Sequence, residues 1–347
     1  MRGLAKTAPR TGHLDVIEVE DPDPAPEEVL VEVAFAGLCG SDLGIYRFEE
    51  AYESIVSLPR IVGHEYAGTV LETGADVERF APGDRVVERP IRACGACYQC
   101  ETGSPNVCAN ARITGVHHDG AYAGRIAVPA GALNRVPGGI DERTAALAEP
   151  TSVAVRAASH NADVAAGDRV LVEGPGPIGL LAARVAAAEG AEVTVSGIDR
   201  DADHRLPFAA GLGFETVNVA ETPIEDAADR LTGGRGFDVV IDATGAGAGL
   251  EAVAGAVRKG GQVVLVGQTG TATVEFTPLI RGEIDLQCSY ASTWKEFERA
   301  LSLLADGEIA VDGFVDDRFS IREADAAFEA FAAGETCKPL FDLSELR

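Results

Sequence analysis

The sequence predicts an α/β protein with a β-rich first part followed by a doubly wound parallel-sheet domain. Three observations carry this. At 347 residues the chain is long enough for two separate cores. Glycine is abundant (40 residues) and aromatics are sparse (6%), which suits an α/β chain with many tight turns better than a β-sandwich. The hydrophobic pattern also changes along the chain, from short strand-like runs to strands alternating with helices.

In the first part, residues 29–35 (Val-Leu-Val-Glu-Val-Ala-Phe) and 67–71 have strand composition. Pro82-Gly83-Asp84 is a turn signal leading into Arg85-Val86-Val87. No long amphipathic helix is expected before about residue 142. From Asp168 onward, residues 170–172, 193–195, 239–241 and 263–266 are candidate buried parallel strands. The segments 178–189 and 246–258 between them are alanine-rich with helical period, so a doubly wound sheet follows. After about residue 284 come a helix at 294–306 and mixed short elements. Internal repeats and low-complexity segments are absent.

Charge and cysteine usage narrow the function classes. The formal net charge is −26, from 55 acidic and 29 basic residues. Only four of the basic residues are lysines: Lys6, Lys259, Lys295 and Lys338. Such self-repulsion destabilises a compact chain in dilute buffer, whereas molar salt shortens the Debye length to about 3 Å and screens it. A high-salt interior is therefore expected. Nucleic acid is excluded as a partner, because no basic stripe is present to replace phosphate counterions. Neither a secretion signal nor an apolar run long enough for a membrane span is present, so a cytoplasmic protein is expected. Seven cysteines, an odd number, argue for thiolate or metal chemistry rather than a disulfide framework.

Three groups of residues carry chemistry. Gly174-Pro175-Gly176-Pro177-Ile178-Gly179 fits G-x-G-x-x-G directly after a predicted strand and opening a predicted helix. There glycines permit a tight turn and a close backbone approach to a pyrophosphate at the helix N-terminus. The acidic residue that holds an NAD ribose is expected about 20 residues further on. Gly197 stands at that place, Asp199 follows two residues late, and Arg200, His204 and Arg205 lie nearby. Cations without a carboxylate suit the 2′-phosphate of NADP, and Asp199 serves NAD if the loop folds back. The second group is Cys94, Cys97, Cys100 and Cys108, four thiols within fifteen residues and able to wrap one tetrahedral Zn²⁺ in a closed site. The third is dispersed: Cys39-Gly40-Ser41-Asp42 at the end of a predicted strand, then Gly63-His64-Glu65, then Glu149-Pro150. One thiolate, one imidazole and carboxylates form a mixed zinc set with a position open for water or substrate.

Together these motifs resemble the medium-chain dehydrogenase/reductase superfamily, the zinc-dependent alcohol dehydrogenase family. The carriers are Gly37-Leu38-Cys39-Gly40-Ser41-Asp42, Val62-Gly63-His64-Glu65, Pro82-Gly83-Asp84-Arg85-Val86, the four-cysteine lobe, Glu149-Pro150, the glycine fingerprint and Gly260-Gly261-Gln262-Val263-Val264. They span most of the chain in the expected order. Glu149-Pro150 followed by Ser152-Val153-Ala154-Val155 resembles the sorbitol and threonine dehydrogenase branch, and the Tyr46 region resembles the threonine enzymes.

The resemblance implies a GroES-like catalytic domain over 1–152, with 285–347 returning to it, and a Rossmann dinucleotide-binding domain over 153–284. It implies two zinc ions per chain. Cys39, His64, Glu65 and Glu149 hold the catalytic one, and the four clustered cysteines hold the structural one. Ser41 takes the substrate proton, Asp42 supports the zinc shell, Val153 packs on the nicotinamide, and backbone near Gly267 and Gln268 meets its carboxamide. The implied reaction is oxidation of an alcohol polarised by zinc, with hydride transfer to NAD or NADP. A polyol or sugar substrate is expected first, L-threonine second and a simple alcohol third. A homo-oligomer, dimer or tetramer, is expected. A non-catalytic relative of the family would be expected to have lost the dispersed ligands that this chain keeps. Two departures stand out. Gly44 occupies a place where the family often has a histidine of the proton relay, so water or the cofactor ribose must do that work. Cys288 replaces a usual glycine before Ser289-Tyr290, either as a buried small residue or as a group narrowing the site.

Overall fold

The computed structural model describes residues 1–267, 271–309, 312–316 and 318–347. The chain forms two compact units. The first comprises Met1–Glu149, Ser292–Ala332 and Lys338–Arg347, and the second comprises Pro150–Ala291 and Ala333–Cys337.

The first unit is built on the ten-residue strand Glu28–Gly37, whose Val29, Val31 and Val33 alternate into the core. It lies between Glu65–Thr73 and Lys338–Asp342, antiparallel to both, and also pairs with Arg125–Pro129. Arg85–Glu88 and Leu133–Arg135 extend the sheet on one side and Val315–Asp316 on the other. One core cluster holds these strands to Leu38, Ile45, Phe328 and Phe341. The strand ends at Gly37 rather than at residue 42, and an eight-residue helix, Gly40–Arg47, follows. Gly40 and Gly44 weaken its helical signal in the sequence. The Asp42 carboxylate nevertheless accepts the Cys39 N–H at 3.0 Å and closes the first turn.

Two of the four lysines are core residues. Lys6 is fully buried and donates to the carbonyls of Arg10, Gly12 and Tyr46 at 2.5–2.6 Å, and Lys338 is fully buried as well. Only Lys259 and Lys295 remain exposed.

The second unit is a six-stranded parallel sheet in the order Glu215–Asn218, Glu192–Gly197, Arg169–Glu173, Phe237–Asp242, Val257–Leu265, Asp285–Cys288. In chain order this is 3-2-1-4-5-6, the doubly wound arrangement whose ligands bind where the order reverses. Residues 285–288 were expected on sequence grounds to begin the return to the first domain. Instead they are the sixth strand, registered Gln262↔Asp285 to Leu265↔Cys288. The strand is short and lacks the apolar run of its neighbours, because among the described residues one edge of it is unpaired. Cys288 is exposed there, so it is not a buried small residue. The five residues Ala333–Cys337 join this unit, with the Thr336 carbonyl accepting from Arg205 Nε at 3.0 Å.

Candidate functional site

Cys39, His64 and Glu65 come together in the first unit. One ligand atom from each lies within 4.8 Å of the others, a set able to hold a metal ion. Cys39 precedes the helix Gly40–Arg47, and Glu65 opens the strand Glu65–Thr73, with His64 immediately before it. Gly63 makes the turn with φ +90°, and a Cβ there would stand 2.3 Å from the Tyr122 ring. The Tyr122 hydroxyl donates to the Gly37 carbonyl at 2.9 Å and lies 3.2 Å from Asp42 Oδ2. Asp42 Oδ1 faces His64 Nδ1 at 3.5 Å. That carboxylate lies within ion-pair range of the imidazole, a placement suited to orienting a metal-ligating ring. Burial alone would lower the His64 pKa, but the adjacent Asp42 and Cys39 outweigh it and hold the imidazole well above its ordinary value.

Lys338 is a site residue that sequence reasoning missed. Its Nζ pairs with Glu65 Oε2 and donates to the Leu38 carbonyl at 2.9 Å. Glu65, Gly37 and Leu340 are aligned across three adjacent strands, with Lys338 two residues before Leu340. Gly37 leaves room for the pair, since a Cβ there would be 2.7 Å from Glu65 Oε2 and 3.0 Å from Lys338 Cε. The available signal was a lysine inside an apolar strand of a chain that otherwise avoids lysine.

Glu149 is buried, and among the described residues it is not part of the tight three-residue set. Burial is the main influence on its carboxyl. His64 acts against that influence and Glu65 adds to it, and the net effect is a pKa pushed up to about 7. Ser41 is half-buried in the first turn after Cys39. Tyr46, noted for its resemblance to threonine enzymes, is a core residue whose ring stacks on Phe328 at 4.9 Å.

The four clustered cysteines form a second set. The Sγ separations are 3.5 Å for Cys97–Cys100, 3.7 Å for Cys97–Cys108 and 3.5 Å for Cys94–Cys108. These exceed a disulfide bond of about 2.05 Å. They match the edge of about 3.8 Å in a tetrahedron with Zn–S bonds of about 2.3 Å. The lobe is tied at its base by the ladder of Ile91–Arg92 with Arg112–Ile113. Backbone N–H groups of Cys94 and Asn110 both approach Cys108 Sγ at 3.3 Å, as expected for sulfurs carrying negative charge. Hydrogen bonding, first from the Ala96 backbone, pulls the Cys94 thiol down to about 6. Burial, with hydrogen bonding to Cys97, pushes the Cys100 thiol up to about 12, so four thiolates held this closely need a cation to balance them, and the donor set fits zinc.

In the second unit the glycine fingerprint joins the strand Arg169–Glu173 to the helix Pro177–Ala188. Gly174 has φ +92°, and a Cβ on Gly179 would be 1.9 Å from the Gly174 carbonyl oxygen, so helix and loop meet backbone to backbone. A Cβ on Gly176, by contrast, would meet nothing within 4 Å, which leaves the helix N-terminus open to a phosphate. Pro177 and Ile178 are half-buried in the first turn of the helix, Val153 is half-buried, and the Gly267 N–H donates to Asp242 at 3.0 Å. Gln268 lies outside the described residues.

Gly197 ends its strand under tight packing. A Cβ there would be 3.0 Å from Pro175 Cγ and 3.1 Å from Leu206 Cδ2, so a side chain at this position would need its neighbours to give by a few tenths of an ångström. Asp199 accepts from Asn218 Nδ2 at 3.0 Å. Arg200 is exposed. Arg205, expected beside the ribose, is instead buried 3.5 Å from Asp201 and bonded to the Thr336 carbonyl. It follows Asp201 by four residues, which places it on that carboxylate.

Known proteins show the same organisation. Residues 25–138 match the alcohol dehydrogenase GroES-like domain, and residues 177–306 match the zinc-binding dehydrogenase family. The chain is 35% identical to a sorbitol dehydrogenase of Halalkalibacterium halodurans over 98% of both chains. It is 34% identical to an L-threonine 3-dehydrogenase of Pyrococcus horikoshii over 99% of both. A solved structure of a zinc-binding dehydrogenase from Sinorhizobium meliloti 1021 bound to NADP matches with a TM-score of 0.89 at 29% identity, covering 98% of each chain. With its open and closed ligand sets, its dinucleotide fingerprint and these relatives along its whole length, the chain belongs to the medium-chain dehydrogenase/reductase superfamily as a zinc-binding dehydrogenase, an oxidoreductase acting on CH–OH donors.

Proposed function

We propose that this chain oxidises a secondary alcohol of a polyol or sugar with zinc and NAD(P). The observation that carries the proposal is the compact Cys39–His64–Glu65 set with Glu149 beside it, a mixed donor group that leaves a position for substrate. When bound, zinc supplies Lewis-acid stabilisation of the alcohol oxygen and the nicotinamide accepts the hydride.

The chain's own residues do the rest. Cys39 and His64 hold the metal, and Asp42 keeps the imidazole oriented. Lys338 holds Glu65 and decides how far that carboxylate can reach toward the metal. Glu149 stands as a further ligand, directly or through water. Ser41 takes the proton of the substrate hydroxyl. Gly174, Gly176, Pro177, Ile178 and Gly179 receive the pyrophosphate, while Val153 and the backbone at Gly267 and Gln268 position the nicotinamide. Cys94, Cys97, Cys100 and Cys108 hold a second, structural zinc.

The sorbitol dehydrogenase relative supports a polyol. L-Threonine is the second reading, supported by the threonine dehydrogenase relative, although Tyr46 no longer argues for it because it serves the core. The lack of a carboxylate at Gly197, with Arg200 exposed nearby, favours NADP. Solved relatives hold either cofactor, NADP in one and NADH in another.

The free thiols fit a reducing cytoplasm. Among the described residues, no helix is long and apolar enough to cross a membrane. The near absence of lysine from the surface supports a high-salt interior. The unpaired edge strand Asp285–Cys288 is exposed at all four residues, and the nearby Phe276 and Ile280 are 62% and 72% exposed. A second copy of the same edge would cover them, so a homo-oligomer is proposed. Initial rates on polyols, sugars, L-threonine and simple alcohols, with NAD and NADP in molar KCl, test the proposal. Preference for threonine or for a monofunctional alcohol would overturn the polyol assignment.

A further inference from the structure

Gly44 sits inside the helix Gly40–Arg47 without a positive φ, so its backbone does not require glycine. Alanine at such a place would favour the helix by about 1 kcal/mol. What requires glycine is a ring. A Cβ on residue 44 would stand 2.4 Å from Tyr52 Cε2, 3.1 Å from Cζ and 3.2 Å from Cδ2. Tyr52 is itself well anchored. It belongs to the short helix Glu50–Glu53, its N–H donates to the Glu49 carbonyl at 2.8 Å, and its carbonyl accepts from Val56 at 2.9 Å. The half-buried side chain packs on the core of the first unit.

The phenol end is the unusual part. Among the described residues its hydroxyl makes no hydrogen bond, although much of the side chain is out of water. After burial, the groups that most affect it are Cys39, Asp42 and His64, and the ring rests on the helix that begins directly after Cys39, so it lies close to the metal-ligand set. Together these influences push it up to about 12, which makes it a neutral group that both donates and accepts. A half-buried hydroxyl without a protein partner, held against a helix that gave up a side chain to receive it, is suited to a polar ligand.

The geometry points to Tyr52 as the residue that reads a second hydroxyl of the substrate, next to the one being oxidised. This rests on the polyol reading. It explains why the ring, rather than a side chain at position 44, occupies this space. A vicinal diol carries its second oxygen one carbon away from the reacting one, where a hydroxyl close to the Cys39–His64–Glu65 set can meet it. A site that hydrogen-bonds a substrate hydroxyl discriminates against the analogue lacking it, because the protein group is then left unpaired.

The test compares a vicinal diol with the secondary mono-alcohol of the same skeleton, 2,3-butanediol against 2-butanol, on the zinc- and cofactor-loaded enzyme. Tyr52→Phe keeps the ring against Gly44 and removes only the hydroxyl. The diol-to-mono-alcohol ratio of kcat/KM should fall about tenfold, equivalent to about 1.4 kcal/mol, chiefly through KM for the diol. Calorimetric titration of the enzyme–cofactor complex with the diol should show a matching loss of affinity. Gly44→Ala, which displaces the ring, should lower the same ratio in the wild type but leave it unmoved in the Tyr52→Phe background. A wild type that prefers the diol, with a ratio unchanged by Tyr52→Phe, overturns the role of Tyr52 alone. A wild type that does not prefer the diol, or oxidises neither compound, overturns the polyol reading and this inference with it.

Discussion

Replacing Lys338 with methionine isolates the interaction on which the geometry of Glu65 depends. Lys338 and Glu65 are 0% and 1% exposed, so neither charge is hydrated, and each relies on the other. Methionine fills most of the lysine volume and removes the ammonium, leaving a buried carboxylate without its cation and the Leu38 carbonyl without a donor. Breaking a buried pair from one side costs about 3–5 kcal/mol, mostly because of the charge left behind. The assay is urea unfolding of chelator-treated protein, in which Glu65 has no metal to take the place of Lys338. The single tryptophan, Trp294, belongs to the same unit as the pair, so its emission follows unfolding of that unit. The double variant Lys338→Met, Glu65→Gln should recover more than half the loss, since no buried charge then remains. A loss below about 1 kcal/mol for the single variant, or a double variant no more stable than the single, would refute the reasoning.

The other expectations concern salt, cofactor and metal. The melting temperature should rise by many degrees between about 0.1 M and 2 M KCl as repulsion among surface carboxylates is screened; a flat or falling curve would sink the high-salt assignment. Arg200→Ala should weaken NADP binding much more than NAD binding, by about 1.5–3 kcal/mol for a charge-assisted phosphate contact. Damage to NAD binding by Asp199→Ala in a wild type that prefers NAD would reverse that assignment. Elemental analysis of gently purified protein should find two zinc ions per chain, with mild chelation removing one first and activity disappearing with it. Cys39→Ser or His64→Ala should abolish turnover and retain most of the stability, while Cys97→Ser should lower stability directly; the opposite pattern would mean the two sites are assigned the wrong way round.

The parts of the molecule with a local signature could be read from the sequence. The strands at 170–172, 193–195, 239–241 and 263–266 are continuous apolar runs because parallel strands are covered on both faces; the first three lie within strands of the structure, and the fourth overruns its strand by one residue, Val266. The fingerprint and the cysteine lobe are contiguous, so their spacing alone brings their atoms together. The strand Asp285–Cys288 was missed because an edge strand needs no apolar run. The helix Gly40–Arg47 was missed because two glycines hide its period. Arg205 is near the ribose region in sequence, and that proximity does not reveal that Asp201 is also within its reach.

What stayed hidden at the site is of a different kind. Lys338 meets Glu65 across 273 residues of chain, and no periodicity links them. Tyr52 lies in a four-residue helix with no motif around it. Yet each left a local trace in a glycine that its own backbone does not demand. Gly37, inside a strand, has no positive φ, and its missing Cβ is where Glu65 and Lys338 meet. Gly44, inside a helix, has no positive φ, and its missing Cβ is where the Tyr52 ring rests. A glycine in a regular element weakens that element, so a chain that keeps one there without a turn to make is giving the space to another group. At Gly37 that group is an ion pair whose carboxylate belongs to the metal set, and at Gly44 it is the Tyr52 ring, close to the same set. The two glycines thus mark the site, one where a charge is held in place and one where the proposed substrate hydroxyl has a group to meet.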